Sequence, residues 1–156
     1  MYFWRIKKLK ANLIERPLSG REELRYLIGF LLLWVLTLTA PPEEGLNRWD
    51  HAGLAVTALL TIVGTIYLFH RNGGAGGELF LQRYFVLGWV VSIRWAAAFV
   101  SLYVIVRLIA SILDAWPSEE TNVFDFLLIS AGEVCFYWRL GVHIADVSRG
   151  ATTLRA

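Results

Sequence analysis

The chain has 156 residues, of which 56% are hydrophobic, 14% aromatic and only 18% charged, with a formal net charge of +2. A soluble domain carries about a quarter charged residues spread over its surface. Here the charges cluster and long stretches carry none, which argues against an ordinary water-soluble helical bundle. The single cysteine, Cys135, excludes an intrachain disulfide and a multi-cysteine metal site, leaving it as an expected small buried packing residue.

At the N-terminus, Tyr2, Ile6, Leu9 and Leu13 recur three and four residues apart, flanked by Arg5, Lys7, Lys8 and Lys10. This spacing predicts an amphipathic helix over residues 1–17 lying at the inner membrane surface, with Phe3 and Trp4 at headgroup level and Pro17 as its end. It does not read as a cleaved leader: the first long apolar run starts only near Leu24, and no small-residue cleavage site follows.

Four later segments have the length and polarity to cross a bilayer core of about 30 Å as helices. They cover residues 24–40, 51–69, 84–110 and 122–145. The first follows the capping-box spacing Ser19-Gly20-Arg21-Glu22 and stops at Pro41-Pro42. The second has Asp50 as its expected N-cap, and the fourth has Asn122 or Thr121. The third belongs to an apolar run from Leu79 to Leu113 that exceeds one bilayer thickness, so its start is expected to project into the cytoplasm. The fold class that follows is all-α: a four-helix integral membrane bundle, residues 18–156, behind the N-terminal helix. Lysine and arginine concentrate before the first span, between the second and third, and in the tail. The loops Pro41–Asp50 and Asp114–Thr121 hold acids and one arginine, Arg48, which places both termini in the cytoplasm. Trp49 and Trp116 fit an outer aromatic belt, Tyr26 and Tyr84 an inner one.

Charges within the spans are the candidate functional groups. Arg94 falls mid-way along the third span, where an arginine costs about 2.5–3.5 kcal/mol and usually finds a partner or water. Helical spacing places it on one face with Arg83, Val90, Ala97, Ala98 and Ser101. Glu133 in the fourth span lies between the levels of Arg94 and Arg107, and either arginine is a candidate partner. Arg139, His143 and Asp146 continue as a polar stripe. In the second span Gly53, Thr57, Thr61, Gly64 and Thr65 share one side, suited to close packing or, in an oligomer, to a pore lining. The glycine-rich segment from His70 to Gly77 lacks the third glycine of a dinucleotide fingerprint and the Gly-Lys-Ser/Thr of a phosphate loop, and reads as a turn. No nucleophile–base set or metal-ligand cluster is present, so neither enzymatic activity nor a cofactor is expected. His70 and His143 read as satisfied or solvated rather than haem-ligating histidines.

The stretch NGGAGGELFLQRYFVLGWVVSIR, Asn72 to Arg94, with YWRLGVHIAD, Tyr137 to Asp146, resembles small uncharacterised four-helix membrane proteins of bacterial genomes. More distantly, the design is similar to the membrane channel effector of Hailong-type anti-phage systems. That resemblance implies a helical bundle responding to a nucleotide or oligonucleotide on the inner side. The expected function is a homo-oligomeric membrane protein of the bacterial inner membrane that forms or gates an ion pathway. Arg94, Arg107, Glu133, Arg139, His143, Thr57 and Thr61 would line it or stabilise it. The basic surface of Arg5, Lys7, Lys8, Lys10, Arg71, Arg83 and Arg149 would receive an anionic nucleotide or single-stranded nucleic acid. The alternative is a non-catalytic anchor or assembly subunit that recruits a soluble partner protein.

Overall fold

The computed structural model describes residues 5–15, 18–37, 46–112 and 122–155. They form five α-helices and no strand: α1 (Ile6–Glu15), α2 (Gly20–Thr37), α3 (Arg48–Arg71), α4 (Phe80–Ile112) and α5 (Val123–Arg155). Tyr2, Phe3, Trp4, Pro17, Pro41-Pro42, Leu113 and the Asp114–Thr121 loop with Trp116 lie outside the described residues.

Side-chain caps set the starts of α2, α3 and α5. At α2, Glu22 reaches back to the Ser19 backbone N–H at 3.1 Å and accepts from its hydroxyl at 2.9 Å, as the capping-box spacing predicts. At α3 the expected cap is displaced by one turn. Asn47 is the N-cap, its side chain accepting from Trp49 N and Asp50 N at 2.7 and 3.1 Å. Asp50 instead closes a capping box by accepting from Asn47 N at 2.9 Å. At α5, Asn122 accepts from Phe124 N and Asp125 N, and Asp125 accepts from Asn122 N.

Cross-helix contacts fix the directions. Along α3 and α5, Trp49 meets Phe126, Thr57 meets Glu133, Tyr67 meets Gly141 and Asn72 meets Ser148. Both numbers rise together, so α3 and α5 run parallel. Glu23 meets Gln82 and Gly29 meets Trp89, so α2 and α4 are also parallel. Phe99 meets Gly132 and Tyr103 meets Asp125, so α4 and α5 are antiparallel. With α2 packed chiefly on α4, α4 on α5 and α5 on α3, the order across the molecule is α2, α4, α5, α3. This is a layer with α4 and α5 at its centre rather than a closed ring. The starts of α2 and α4 and the ends of α3 and α5 share one end of the layer.

The seam between α3 and α5 is reciprocal. The Tyr137 ring of α5 sits over Gly64 of α3, and the Tyr67 ring of α3 sits over Gly141 of α5. A methyl group at either glycine would collide with the opposing ring, so the sequence needs glycine there for close approach. The core then extends through Leu68, Val86, Leu87, Val90, Leu140, Ile144 and Val147.

Helix α1 differs from the expectation of a surface-lying anchor. Ile6, Leu9 and Leu13 are buried in the common core, packed against α5 and α4. Lys10 meets Asp146 and Ile14 meets Gly150, so α1 runs parallel beside the C-terminal part of α5. Its apolar face is taken up by protein, because α5 continues far enough to offer a surface: at 33 residues and ~1.5 Å per residue it is ~50 Å long. Tyr26 likewise is buried in the core, and Tyr84 packs against Phe30, Phe80 and Phe85, so both serve the interior rather than a lipid belt.

Among the described residues two helices, Arg48–Arg71 and Phe80–Ile112, are long and apolar enough to cross a membrane, each with a mean hydropathy of 2.0 over its best stretch. Only 11% and 6% of those stretches are buried, which distinguishes them from core helices of a soluble protein. Leu54, Ile62, Leu81, Ile112, Phe124 and Trp138 are among the large apolar side chains at least 60% exposed, far more apolar surface than water tolerates on a monomer. The expected first and fourth spans are more polar: α2 opens with Arg21, Glu22, Glu23 and Arg25, and α5 carries Asp125, Glu133, Arg139 and Asp146.

Gly64→Ala and Gly141→Ala are each expected to lower unfolding stability in detergent by about 1–3 kcal/mol through overpacking. Gly53→Ala, where an added methyl meets nothing within 4 Å, should not lower it and is expected to raise it by up to about 1 kcal/mol through helix propensity. Denaturation of the three variants side by side checks this; equal midpoints would contradict the seam.

Candidate functional site

The polar groups distribute along α5 in three tiers, each meeting a different neighbour. In the first, Asp125 is 3% exposed. It accepts from the Tyr103 hydroxyl at 2.9 Å and lies 3.8 Å from Arg107 Nη1. Arg107 therefore pairs with the acid that helps cap α5, not with Glu133. The helix start is tied to α4 by a charge pair, and the antiparallel register brings Tyr103 and Arg107 of α4 level with it.

In the middle tier, Glu133 takes its hydrogen bond from Thr57: the hydroxyl donates to Oε1 at 2.7 Å. Among the described residues neither Arg94 nor Arg107 pairs with Glu133, and its buried Oε2 has no hydrogen-bond partner. A cavity of about 210 Å³ opens beside it, lined by Trp95, Phe99, Ile129, Gly132, Glu133 and Phe136. One turn further along α3, Thr61 lies on the same side of the helix as Thr57. Thr57 and Thr61 therefore face α5 yet remain exposed at its edge.

The third tier gathers Arg94, Arg139 and His143, with Ile6, Val91 and Trp95, around a second cavity of about 210 Å³. Here α1 joins α4 and α5. Lys10 Nζ lies 2.6 Å from Asp146 Oδ2 and 3.4 Å from His143 Nδ1, while Arg149 donates to Asp146 Oδ1 at 3.1 Å. The hydrogen bond from Lys10 leads in holding the Asp146 carboxyl below its ordinary value of 3.8.

Of the expected basic surface, Arg5, Lys7, Lys8, Arg71 and Arg149 are exposed. Lys10 is engaged with Asp146. Arg83 is not on that surface: it is 4% exposed and its Nη1 donates to Asn72 Oδ1 at 2.7 Å. The reason is Asn72, which sequence reasoning passed over as part of a turn. Its side chain is fully buried, its Nδ2 donates to Glu78 O at 3.1 Å, and its carbonyl accepts from Ser148 Oγ at 2.8 Å. One asparagine thus joins α3, the glycine-rich turn, α4 and α5. The turn itself is short: Gly73 at φ 105° leads into a single 3₁₀ turn over Gly74–Gly76, as its composition suggests. The face of α4 assigned by helical spacing also divides, since Arg83 and Val90 are buried while Arg94, Ala97, Ala98 and Ser101 are exposed.

No protein-family model, curated protein or solved structure matches the chain.

Replacing Asn72 with Ala removes the acceptor from a buried guanidinium and is expected to cost about 1.5–3 kcal/mol, read by thermal unfolding in detergent. Asn72→Asp, which keeps an acceptor for Arg83, should lose less. The Lys10–Asp146 clasp gives a pH signature. Because the folded carboxyl binds its proton less readily than the unfolded chain, its contribution is complete above the ordinary value and is lost as pH falls toward the folded one. Acidification from about pH 5 to pH 2 should therefore loosen α1 from α5. Asp146→Asn should reduce that acid-dependent loss in unfolding midpoint, and an unaltered acid limb in this variant would contradict the assignment.

Proposed function

We propose that the chain is a non-catalytic, homo-oligomeric membrane protein that forms or gates an ion pathway. In this reading it crosses the bacterial inner membrane four times, α2 and α4 outward, α3 and α5 inward, with both termini cytoplasmic. The basic end carrying Arg5, Lys7, Lys8, Arg71 and Arg149 faces the cytoplasm and receives an anionic regulator, a nucleotide or oligonucleotide, as in an anti-phage effector.

The observation that carries this reading is Glu133. Its carboxyl is bonded on one oxygen to Thr57, at an edge of helices otherwise clad in apolar side chains. A carboxyl group in apolar surroundings is costly, and intramembrane acids generally face a bundle interior or a water-filled path. A second copy covering the edge of α3 and α5 would supply that environment, with Thr57 and Thr61 beside the acid. The layer arrangement supports the same conclusion, since one row of helices cannot enclose a path by itself and closure falls to cyclic symmetry. The small exposed residues Ala97, Ala98 and Ser101 on α4 suit close approach of another helix.

Purified protein in liposomes is expected to conduct ions above empty vesicles, with Glu133→Gln and Thr57→Val each changing the flux by several-fold or altering its ion preference. Flux no greater than that of empty vesicles, or identical flux in all three proteins, would count against the proposal. Regulator binding at the basic end should weaken steeply with added salt.

A further inference from the structure

The recess beside Glu133 joins an aromatic wall to a carboxyl group. Trp95 and Phe99 of α4 and Phe136 of α5 form most of that wall. One oxygen of Glu133 is engaged by the Thr57 hydroxyl from α3, at 2.7 Å. The other, Oε2, is buried with no hydrogen-bond partner among the described residues. A carboxylate oxygen taken out of water without a donor or a cation beside it is costly. The lining includes no cationic side chain among the described residues, since Arg94 and Arg139 line the neighbouring recess, which shares Trp95 with this one.

Packing holds the rings in place. Trp95 and Phe99 stack with centroids 6.4 Å apart and planes 24° from parallel. The Phe99 ring lies over Gly132, where an added methyl would come within 2.6 Å of it. Glycine at that position therefore lets the ring approach the α5 backbone next to the acid. Aromatic faces carry negative potential, and a carboxylate adds a full charge, so the two together favour a cation. An alkylated ammonium suits both, because its charge is spread beneath apolar methyl groups that pack against rings.

Size and depth narrow the occupant further. The recess holds about 210 Å³, below the roughly 300–1,000 Å³ of sites that enclose a drug-sized ligand. It has room for a small quaternary ammonium group rather than a large aromatic dye. Glu133 lies roughly 16 Å of helix beyond the Asn122 cap of α5. With α5 across the bilayer as proposed above, that is near the middle of an apolar core about 30 Å thick. The ammonium headgroup of a lipid does not reach this level, so the occupant is a free cation.

We propose that Glu133, Trp95, Phe99 and Phe136 form a binding site for a small alkylammonium cation between α4 and α5. Oε2 of Glu133 supplies the countercharge, the rings contact the methyl groups, and Thr57 orients the carboxyl from the other side. The inference concerns occupancy of this recess within one protomer and does not rest on ion conduction.

The test uses the full-length protein in a nonionic detergent, with radiolabelled choline as the probe and equilibrium dialysis as the readout. Wild type is expected to bind choline saturably in a constant background of sodium chloride. Dimethylbutanol, the neutral isostere in which carbon replaces the quaternary nitrogen, should displace choline at least about tenfold more weakly than unlabelled choline does. Glu133→Gln should weaken choline binding by about tenfold or more, and Trp95→Leu by several-fold. Trp138→Leu, which alters an exposed tryptophan of α5 outside the recess, should bind as wild type does. Absence of saturable binding by wild type, or equal displacement by the alcohol, overturns the proposal. So does undiminished binding in a folded Glu133→Gln or Trp95→Leu variant, or an equal loss in folded Trp138→Leu. Should the recess variants fail to fold, the comparison of choline with its neutral isostere on wild type still decides. Dialysis involves no flux, so choline binding without liposome conduction sinks the conduction reading alone, and conduction without choline binding sinks this site alone.

Discussion

The architecture depends on the close parallel contact of α3 with α5. Helices associate most specifically where backbones approach closely and surfaces interlock. Tyr67 over Gly141 and Tyr137 over Gly64 provide such an interlock twice, once in each direction. The contact fixes rotation and register together, and register then determines every polar pairing along the seam, from Trp49 beside Phe126 to Asn72 beside Ser148. Helix α5 has a different partner on each flank, α3 on one and α4 on another, with α1 along its C-terminal part. A shift of one residue in α5 would turn each of these faces away from its partner.

This central position explains why α5 is the less apolar of the long helices. A helix bordered by neighbours can carry Asp125, Glu133, His143 and Asp146 because each meets a polar group on another element. Tyr103 and Arg107 meet the first, Thr57 the second, and Lys10 the last. Helix α3 and the C-terminal half of α4 lie at the surface of the layer, and their large exposed side chains are mostly leucine, isoleucine and valine. The charge distribution among helices follows from the layer order α2, α4, α5, α3.

Helix α1 gains its place from the same geometry. Its amphipathic pattern suits a lipid surface or a protein surface equally well, and the length of α5 decides between them. Burying Ile6, Leu9 and Leu13 against α5 and α4 leaves Arg5, Lys7 and Lys8 exposed at the basic end and sets Lys10 against Asp146. The N-terminal helix, the two arginines and the imidazole then share one recess.

What the sequence determined by itself follows from local rules. Apolar run length and helix-period spacing specify an all-α chain with an N-terminal amphipathic helix and long apolar helices, and the capping residues at Ser19 and Asn122 act within three or four residues of themselves. Charge type also marked Arg94, Glu133, Arg139 and His143 as the groups to watch, since ionised side chains in apolar surroundings need a reason. Partner choice was not legible, because pairing depends on helix direction and register. Level-counting along two antiparallel spans put Glu133 between Arg94 and Arg107, but it ignores rotation about the helix axes, and the neighbouring α3 supplies Thr57 instead. Arg83 and Arg94 share a helical face in sequence, yet one is buried against Asn72 and the other opens into a recess, because α4 is covered along one part of its length and free along the next. Asn72 carried no signal of its own within a glycine-rich turn. Only the tertiary structure, by bringing four elements to that point, made it the hydrogen-bonding centre of the basic end.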